Sequence, residues 1–384
     1  MDPSHLVDGE GNAVENVTTE DISRRLESGT FFWLDLPFVG EQETQWLTDL
    51  FHYHPLAVRS AQQFGQRPRV AEYDKFTLIV MYGSRSEAAA RAAAPIGPGA
   101  GGAIAGAPAA AGPIGPAGEG PIGPTAGGTP DVEVGGISID DIAKTAEVHV
   151  FVAENSIVTV HRSDCPAFTQ LRDRLHGSYR AAKVSQESKV LYLVADALVD
   201  SFLPVFDALD ERIDALQDQV LERPTNDQLQ ELLDHKKSLI SLRRVLTPER
   251  DAFASIAAGT VDIPGIDEDA GRYLRDVYDH LIRLTDLVDN YRDLLSGTTD
   301  AYMSVVSNQL NVVMKQLSIV ATVFLPLSYL TGFFGQNFGW FTQRIGYWWE
   351  FWGIGVGVEV LIVTFMLTLF WKRGWIGKKR PLVT

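Results

Sequence analysis

The sequence predicts an α/β domain first, a long helical region after it, and a pair of C-terminal transmembrane helices. Three observations predict this order: short strand-like segments up to residue 161, helical spacing from residue 186 onward, and two apolar segments near the end of the chain. Each apolar segment is about 18 to 21 residues long, which suffices to cross the hydrocarbon core of a bilayer. With 384 residues, the chain is long enough for one substantial soluble domain besides this hairpin.

Four short segments rich in β-branched and aromatic residues are typical of strands: Thr30–Leu36, Phe76–Tyr82, Glu147–Val152 and Ile157–His161. Helical spacing over Glu41–Tyr53 and Pro166–Arg180 adds helices, so we expect an α/β domain over residues 1–184. Residues 88–136 interrupt it with a sequence that is almost entirely Ala, Gly and Pro. Such a composition cannot bury enough apolar area to offset its ordering entropy, so we expect a disordered insertion there.

Residues 185–266 combine helical spacing with an excess of acidic side chains, so we expect acidic helical arms. One helix is predicted over Gln186–Arg223. A second is predicted to begin at Thr225 or Asn226, whose side chains can cap it, and to end before Pro248.

A third helix is expected to begin near Glu268 and to continue without a break to Phe334, a length on the order of 100 Å. Its residues 267–315 would form a stalk, and residues 316–335 the first transmembrane helix. An outer loop, the second transmembrane helix and a basic tail are expected to follow at 336–350, 351–371 and 372–384.

Basic residues indicate the orientation of the hairpin. The tail after Trp371 has five Lys and Arg residues within nine positions, whereas the loop has only Arg344. An excess of Lys and Arg next to a transmembrane helix marks the cytoplasmic side. We therefore expect a multi-pass protein of the inner or plasma membrane with both termini in the cytoplasm.

Composition and motifs disfavour several classes of function. The formal net charge of −16 disfavours nucleic acid as a partner, because phosphate contacts are made mostly by Lys and Arg. The lone Cys165 excludes an internal disulfide framework, and the histidines have no cysteine partners at zinc-finger spacing. The sequence has neither a phosphate-binding glycine loop nor a nucleophile elbow, so we do not expect an enzyme.

One face of the first transmembrane helix is small or weakly polar. Its residues are three or four positions apart: Asn311, Met314, Ser318, Ala321, Leu325, Ser328 and Gly332. One hairpin cannot enclose a hydrophilic path, so a pore along this face needs a ring of subunits. Small residues equally permit neighbouring helices to pack closely, and periodicity leaves both interpretations open.

The turn Gly335-Gln336-Asn337 follows this helix. Glycine permits a tight backbone, and the two amides offer carbonyl oxygens that can hold a hydrated divalent cation through its water molecules. The alternative is a helix C-cap, in which Gly and Asn only end the helix.

The turn together with Phe338 resembles the Gly-Met-Asn signature of the CorA family of two-span magnesium and cobalt channels, with Gln in place of Met. Other segments are also similar to the family: Ser307–Lys315, Phe324–Leu327, Tyr273–His280, Leu242–Arg244 with Pro248, and His54–Leu56 with Gln66–Pro68. The resemblance covers most of the chain outside residues 88–136.

The resemblance implies a funnel-shaped homopentamer in a lipid bilayer whose first transmembrane helix lines the pore. It implies transport of hydrated divalent cations, chiefly Mg²⁺, with Co²⁺, Ni²⁺ or Zn²⁺ as further substrates, and it implies no cofactor. The Asn of the signature, here Asn337, would form the outer selectivity ring. The implied pore constrictions are Asn311, Met314, Leu317, Leu325 and Ser328.

The resemblance also implies that the channel closes when Mg²⁺ binds acidic sites between subunits, with Asp276 as one partner. The usual acidic partner falls where this sequence has Arg59-Ser60, and a guanidinium repels Mg²⁺. Gln336 stands in place of the Met of the signature, and the family's zinc-transporting ZntB branch also deviates from the signature at this position.

Glu359 is a carboxylate within the second transmembrane helix, and such groups are functional candidates by default. It could be a proton-linked group in transport, or a neutral acid bonded to a neighbouring helix. Two other functions therefore stay open beside the CorA-like channel: a ZntB-like proton-coupled zinc importer, and a membrane-anchored scaffold that does not conduct.

Overall fold

The computed structural model describes most of the chain, in two compact units, Met1–Thr299 and Asp300–Thr384. The described residues are 4–9, 11–86, 144–162, 165–168, 171, 185–266, 270–336, 339 and 347–376. The expected insertion at residues 88–136 and most of the expected helix Pro166–Arg180 lie outside them.

A seven-stranded mixed sheet forms the centre of the first unit. Its strands are β1 (His5–Asp8), β2 (Ala13–Glu15), β3 (Phe32–Leu36), β4 (Arg69–Tyr73), β5 (Phe76–Ser84), β6 (Thr145–Ala153) and β7 (Ser156–His161). They lie in the order β2-β1-β3-β7-β6-β5-β4, and only β3 and β7 pair in parallel.

The four predicted strands are confirmed as β3, β5, β6 and β7, the central part of the sheet. Every residue of β3, β5 and β7 is buried, which explains why apolar β-branched residues mark these strands so clearly in the sequence. The strands that sequence reasoning missed, β1, β2 and β4, lie at or near the two edges. β2 is fully exposed and β4 has no fully buried residue, so their sequences carry little apolar pattern.

Three helices of the first unit lie between strands in the sequence, and three more follow the last strand. They are α1 (Thr19–Ser28), α2 (Glu41–Gln45, continued by a π-helical turn, Trp46–Leu50), α3 (Pro55–Gln62), α4 (Gln186–Asp200), α5 (Leu203–Glu222) and α6 (Asn226–Ala257). The predicted cap of α6 is Thr225, whose hydroxyl accepts a hydrogen bond from the Gln228 backbone N–H.

Two predicted helix boundaries are wrong. The single helix expected over Gln186–Arg223 is divided into α4 and α5 at Ser201 and Phe202. Pro204 lies in the first turn of α5, where backbone N–H groups have no partner within the helix. Proline therefore loses no helical hydrogen bond at this position.

The second error concerns Pro248, which does not end α6. The helix continues to Ala257, and beyond the proline it buries Glu249, Phe253 and Ile256. A proline inside a helix costs about 3 kcal/mol, and burial of the apolar side chains of Phe253 and Ile256 offsets that cost.

The long helix α7 (Ala270–Phe334) contains 65 residues and contributes to both units. It runs through the predicted stalk and first transmembrane segment without a break, as expected, and Pro326 lies inside it. A second apolar helix begins at Trp348, passes through a π-helical turn (Phe351–Val356), and ends as α8 (Gly357–Lys372). Both helices are long and apolar enough to cross a membrane.

Glu249 is fully buried between α6 and the sheet. One carboxyl oxygen accepts a hydrogen bond from the Tyr82 backbone N–H at 3.2 Å, and the other has no hydrogen-bond partner among the described residues. Burial raises the pKa of this carboxyl from its ordinary 4.5 to about 8, against the smaller opposing effect of the Tyr82 N–H.

A pKa raised in the folded state means that folding takes up a proton between about pH 4.5 and pH 8, so Glu249 lowers stability as pH rises through that window. Glu249→Gln removes this titration. The melting temperature of the variant should exceed that of the wild type by several °C more at pH 8 than at pH 5. Thermal unfolding of the full chain in detergent measures the difference. The exposed control Glu211→Gln should show no such trend, and an equal difference at both pH values for Glu249→Gln would contradict the burial argument.

Candidate functional site

The residues expected to line a pore lie on one exposed face of α7. Those on it, each three or four positions from the next, are Asn311, Met314, Leu317, Ala321, Leu325, Ser328 and Gly332, and all of them are exposed in the single chain. At about 100° per residue, they occupy one side of the helix. Val313, Val320 and Phe324 on other sides of the helix are exposed as well, so the pore-lining role of this face stays a prediction.

The opposite side of the same helix is partly buried. Its residues are Lys315, Ile319, Val323, Leu327, Leu330 and Phe334, again three or four positions apart. The second apolar helix has a matching partly buried side: Gly355, Glu359, Ile362, Met366 and Leu369. The two helices thus each place one side against a neighbour and leave another free.

Among the described residues, a hydrogen bond joins the apolar helices, and a cation–π contact joins the first helix to the turn after the second. The Thr331 hydroxyl donates to a Glu359 carboxyl oxygen at 2.8 Å. Toward the other end, the Lys315 ammonium lies 5.7 Å from the centre of the Trp375 ring, which in turn stacks on Phe370. A cation over an aromatic ring is attracted by the negative face of the ring.

The first apolar helix ends at the glycine of the candidate filter. The Gly335 backbone N–H donates to the Thr331 carbonyl at 2.9 Å, and the Gln336 N–H donates to the Phe333 carbonyl at 3.2 Å. A side chain at Gly335 would place its Cβ 3.1 Å from the Thr331 carbonyl oxygen, closer than most such contacts, so glycine suits this helix end. Asn337 lies outside the described residues.

Asp276 lies near the start of α7, close to residues of α4. The Tyr192 hydroxyl donates to its carboxylate at 3.3 Å, and the rings of Tyr192 and Tyr273 are 5.4 Å apart. Burial raises the pKa of Tyr192 to about 12, and the carboxylates of Asp196 and Asp276 add to this effect. The raised pKa therefore reflects burial first and nearby negative charge second.

Three further side chains complete this cluster, which we call the Asp276 cluster: Asp196 and Asp200 from α4, and His280 from α7. One His280 ring nitrogen lies 3.5 Å from Asp200 and 3.9 Å from Asp196, and the other lies 3.9 Å from Asp276. Ligand atoms of Asp196, Asp200 and His280 all lie within 4.8 Å of one another, so one small divalent cation could contact all three. Asp196 is buried, whereas Asp276 is about half exposed.

Sequence reasoning identified Asp276 but missed the other members of the cluster. The available signal was their spacing, since Asp196 with Asp200 and Asp276 with His280 are each four residues apart on a helix. Nothing in the sequence indicates that these two pairs face each other, because about 80 residues separate them.

Arg59 and Ser60 lie on α3 and do not supply ligands to the Asp276 cluster in the chain described. Arg59 is exposed. Ser60 is buried, and its hydroxyl donates to the Gln66 side chain at 2.7 Å and accepts from Arg69 at 3.1 Å. Ser60 therefore has a structural role within the domain.

The fold and these features define a class: membrane proteins with an α/β domain, a long helix and a C-terminal pair of apolar helices. The profile described as "CorA-like Mg2+ transporter protein" matches residues 138–379, which is more than half of the chain. The chain therefore belongs to the CorA-like family, whose members are membrane ion transporters and not enzymes.

Individual relatives agree with this assignment. The cobalt/magnesium transport protein CorA of Thermotoga maritima is 33% identical over 236 residues, which are 61% of this chain and 65% of that protein. The zinc transport protein ZntB of Pectobacterium atrosepticum is 30% identical over 193 residues, 50% of this chain and 57% of that protein. The solved structure of the CorA magnesium transporter of Methanocaldococcus jannaschii has the same fold, with a TM-score of 0.70 at 17% identity over 98% of this chain and 99% of that one.

Proposed function

We propose that the chain assembles as a funnel-shaped homopentamer. The pentamer conducts hydrated divalent cations, chiefly Mg²⁺, passively down their electrochemical gradient. The observation that carries this proposal is the uncovered face of α7. In a bilayer, a polar group such as the Ser328 hydroxyl needs a partner or water. A ring of subunits that directs this face to a central axis supplies that water.

The ion path would follow α7 toward its C-terminal end. Gly335, Gln336 and Asn337 would form the selectivity filter, with Asn337 carbonyls holding the cation through its hydration shell. Both chain termini would lie in the cytoplasm, because Lys372, Arg373 and the basic residues after them follow the second transmembrane helix.

We also propose that the Asp276 cluster is a divalent-cation sensor. It lies on α7, the same helix that carries the pore face, and its carboxylates offer the oxygen ligands that Mg²⁺ prefers. A cation bound there neutralises the repulsion among Asp196, Asp200 and Asp276. The site departs from the pattern implied for the family, since Arg59-Ser60 stands where that pattern has an acidic partner.

The pore face can be tested by thiol accessibility, because Cys165 is the only cysteine of the chain. In a Cys165→Ser background reconstituted in liposomes, Ser328→Cys should react with a small water-soluble thiol reagent about ten times faster than Leu330→Cys. Ser328 lies on the exposed face and Leu330 on the face partly buried within the hairpin. Equal rates would contradict a water-filled path along the exposed face.

The filter can be tested by cation uptake into proteoliposomes. Asn337→Ala should lower Mg²⁺ uptake by at least about tenfold, because the ring of amide oxygens that holds the hydrated cation is removed. Asn290→Ala, an exposed asparagine elsewhere on α7, should leave uptake unchanged. Wild-type protein that moves none of Mg²⁺, Co²⁺, Ni²⁺ or Zn²⁺ would instead support the scaffold.

The sensor can be tested through closure. Asp276→Asn and Asp196→Asn should each raise the Mg²⁺ concentration that half-inhibits uptake by about tenfold, because each removes one charged oxygen ligand. Asp286→Asn, an exposed position on the same helix, serves as the control. Inhibition unchanged in both cluster variants would exclude the cluster as the sensor while leaving the pore proposal intact.

A further inference from the structure

Glu359 is the only charged residue between Phe351 and Trp371. Its hydrogen-bond partner is Thr331, at 2.8 Å, on the last turns of the first apolar helix. Thr331 comes four residues before Gly335, and its carbonyl accepts the Gly335 backbone N–H. One interaction therefore connects the second apolar helix to the turn of the proposed filter.

The Thr331 hydroxyl has a second neighbour. It lies 2.9 Å from the Leu327 carbonyl, one turn earlier on the same helix. A hydroxyl donates one hydrogen bond and accepts up to two, so it can donate to Leu327 while accepting from a protonated Glu359, or donate to an ionised Glu359. In both arrangements Glu359 and Thr331 stay bonded, and the end of the helix stays tied to its neighbour.

The position of Thr331 on the helix separates this bond from the ion path. It lies between Leu330, on the partly buried face, and Gly332, on the exposed face. Glu359 lies on the side of its own helix that is partly buried with Ile362 and Met366. The carboxyl group is thus directed at the neighbouring helix and away from the proposed pore.

The backbone just before Glu359 is a π-helical turn and not regular α-helix. A π-helical turn covers Phe351–Val356 and ends at Gly357, where a side chain would place its Cβ 3.3 Å from the Trp352 carbonyl oxygen. Single π-helical turns change the direction in which neighbouring side chains point and are frequent at functional sites.

We propose that Glu359 is a positioning residue that, through Thr331, fixes the last helical turn before Gly335 and so sets the geometry of the filter. This inference rests on the proposed function, because it assumes that the Gly335-Gln336-Asn337 turn selects the cation. It assigns Glu359 no role as a proton carrier. The bond is effective here because water does not compete for either group inside a bilayer.

The test compares cation uptake by purified variants in liposomes. Thr331→Val and Glu359→Leu should each lower the preference for Mg²⁺ over Co²⁺ by about three- to tenfold, the range expected for one interhelical hydrogen bond in a membrane. The double variant should lose no more than either single variant, because both remove the same bond. Thr331→Ser and Glu359→Gln keep a hydrogen-bonding group at each position. These variants should therefore keep most of the wild-type preference for Mg²⁺ over Co²⁺.

Two threonines supply matched controls. Thr322 on the first apolar helix and Thr364 on the second each donate to a carbonyl of their own helix at 2.7 Å, and the described residues show no bond from either to the other helix. Thr322→Val and Thr364→Val should keep the wild-type preference. If Glu359→Leu prevents assembly, judged by size-exclusion chromatography, Glu359→Asp replaces it, because the shorter side chain should also lose the bond.

Three results would overturn the inference. The first is a wild-type preference in both Thr331→Val and Glu359→Leu, and the second is additive losses in the double variant. The third is a Glu359→Gln variant whose uptake loses the wild-type pH dependence while Thr331→Val keeps it, since that result would make Glu359 a proton carrier. Failure of the proposed function is distinguishable, because wild type and the Thr322→Val control would then conduct no cation at all.

Discussion

The cost of leaving polar groups without partners in a bilayer determines how the apolar part of this protein can be arranged. The first apolar helix has two different sides, one partly buried in the hairpin and one exposed with Asn311 and Ser328 on it. The second helix is too small to cover both sides. The exposed side therefore needs either other subunits or water, and a ring of subunits around a hydrated axis provides both.

The same constraint explains why the carboxyl group of Glu359 has a hydrogen-bond partner on the other helix. A carboxyl group in hydrocarbon is costly unless it is bonded, and Thr331 supplies the bond. The bond then has a consequence at a distance, since Thr331 also carries the carbonyl that accepts the Gly335 N–H. The hydrogen bond that Glu359 needs inside the bilayer thus also restrains the turn that is proposed to select the cation.

In the first unit, the corresponding constraint is repulsion among carboxylates. Asp196, Asp200 and Asp276 lie around His280, and their fields help to raise the pKa of Tyr192 to about 12. Like charges at this separation destabilise the arrangement unless a cation joins them. A cation bound at the proposed sensor would relieve this repulsion, which is why the cluster is suited to report the concentration of a divalent cation.

Sequence reasoning succeeded where local pattern determines structure. The central strands and the helix ending at Phe334 follow from apolar periodicity, which neighbouring residues alone provide. It failed where distant contacts decide, as at Pro248, where burial of Phe253 keeps a helix intact past a proline. The Asp276 cluster was predicted only in part for the same reason. The family resemblance indicates Asp276, but Asp196 and Asp200 join it only because α4 packs against α7.

The most direct measurement of the central claim is a structure of the assembled protein in a lipid bilayer by electron cryomicroscopy. We expect a closed ring in which Asn311, Leu325 and Ser328 surround a central axis, while Leu330 packs against the second apolar helix. A ring whose axis is lined by the second helix, or an assembly that buries the exposed face in a dry helix–helix contact, would contradict this expectation.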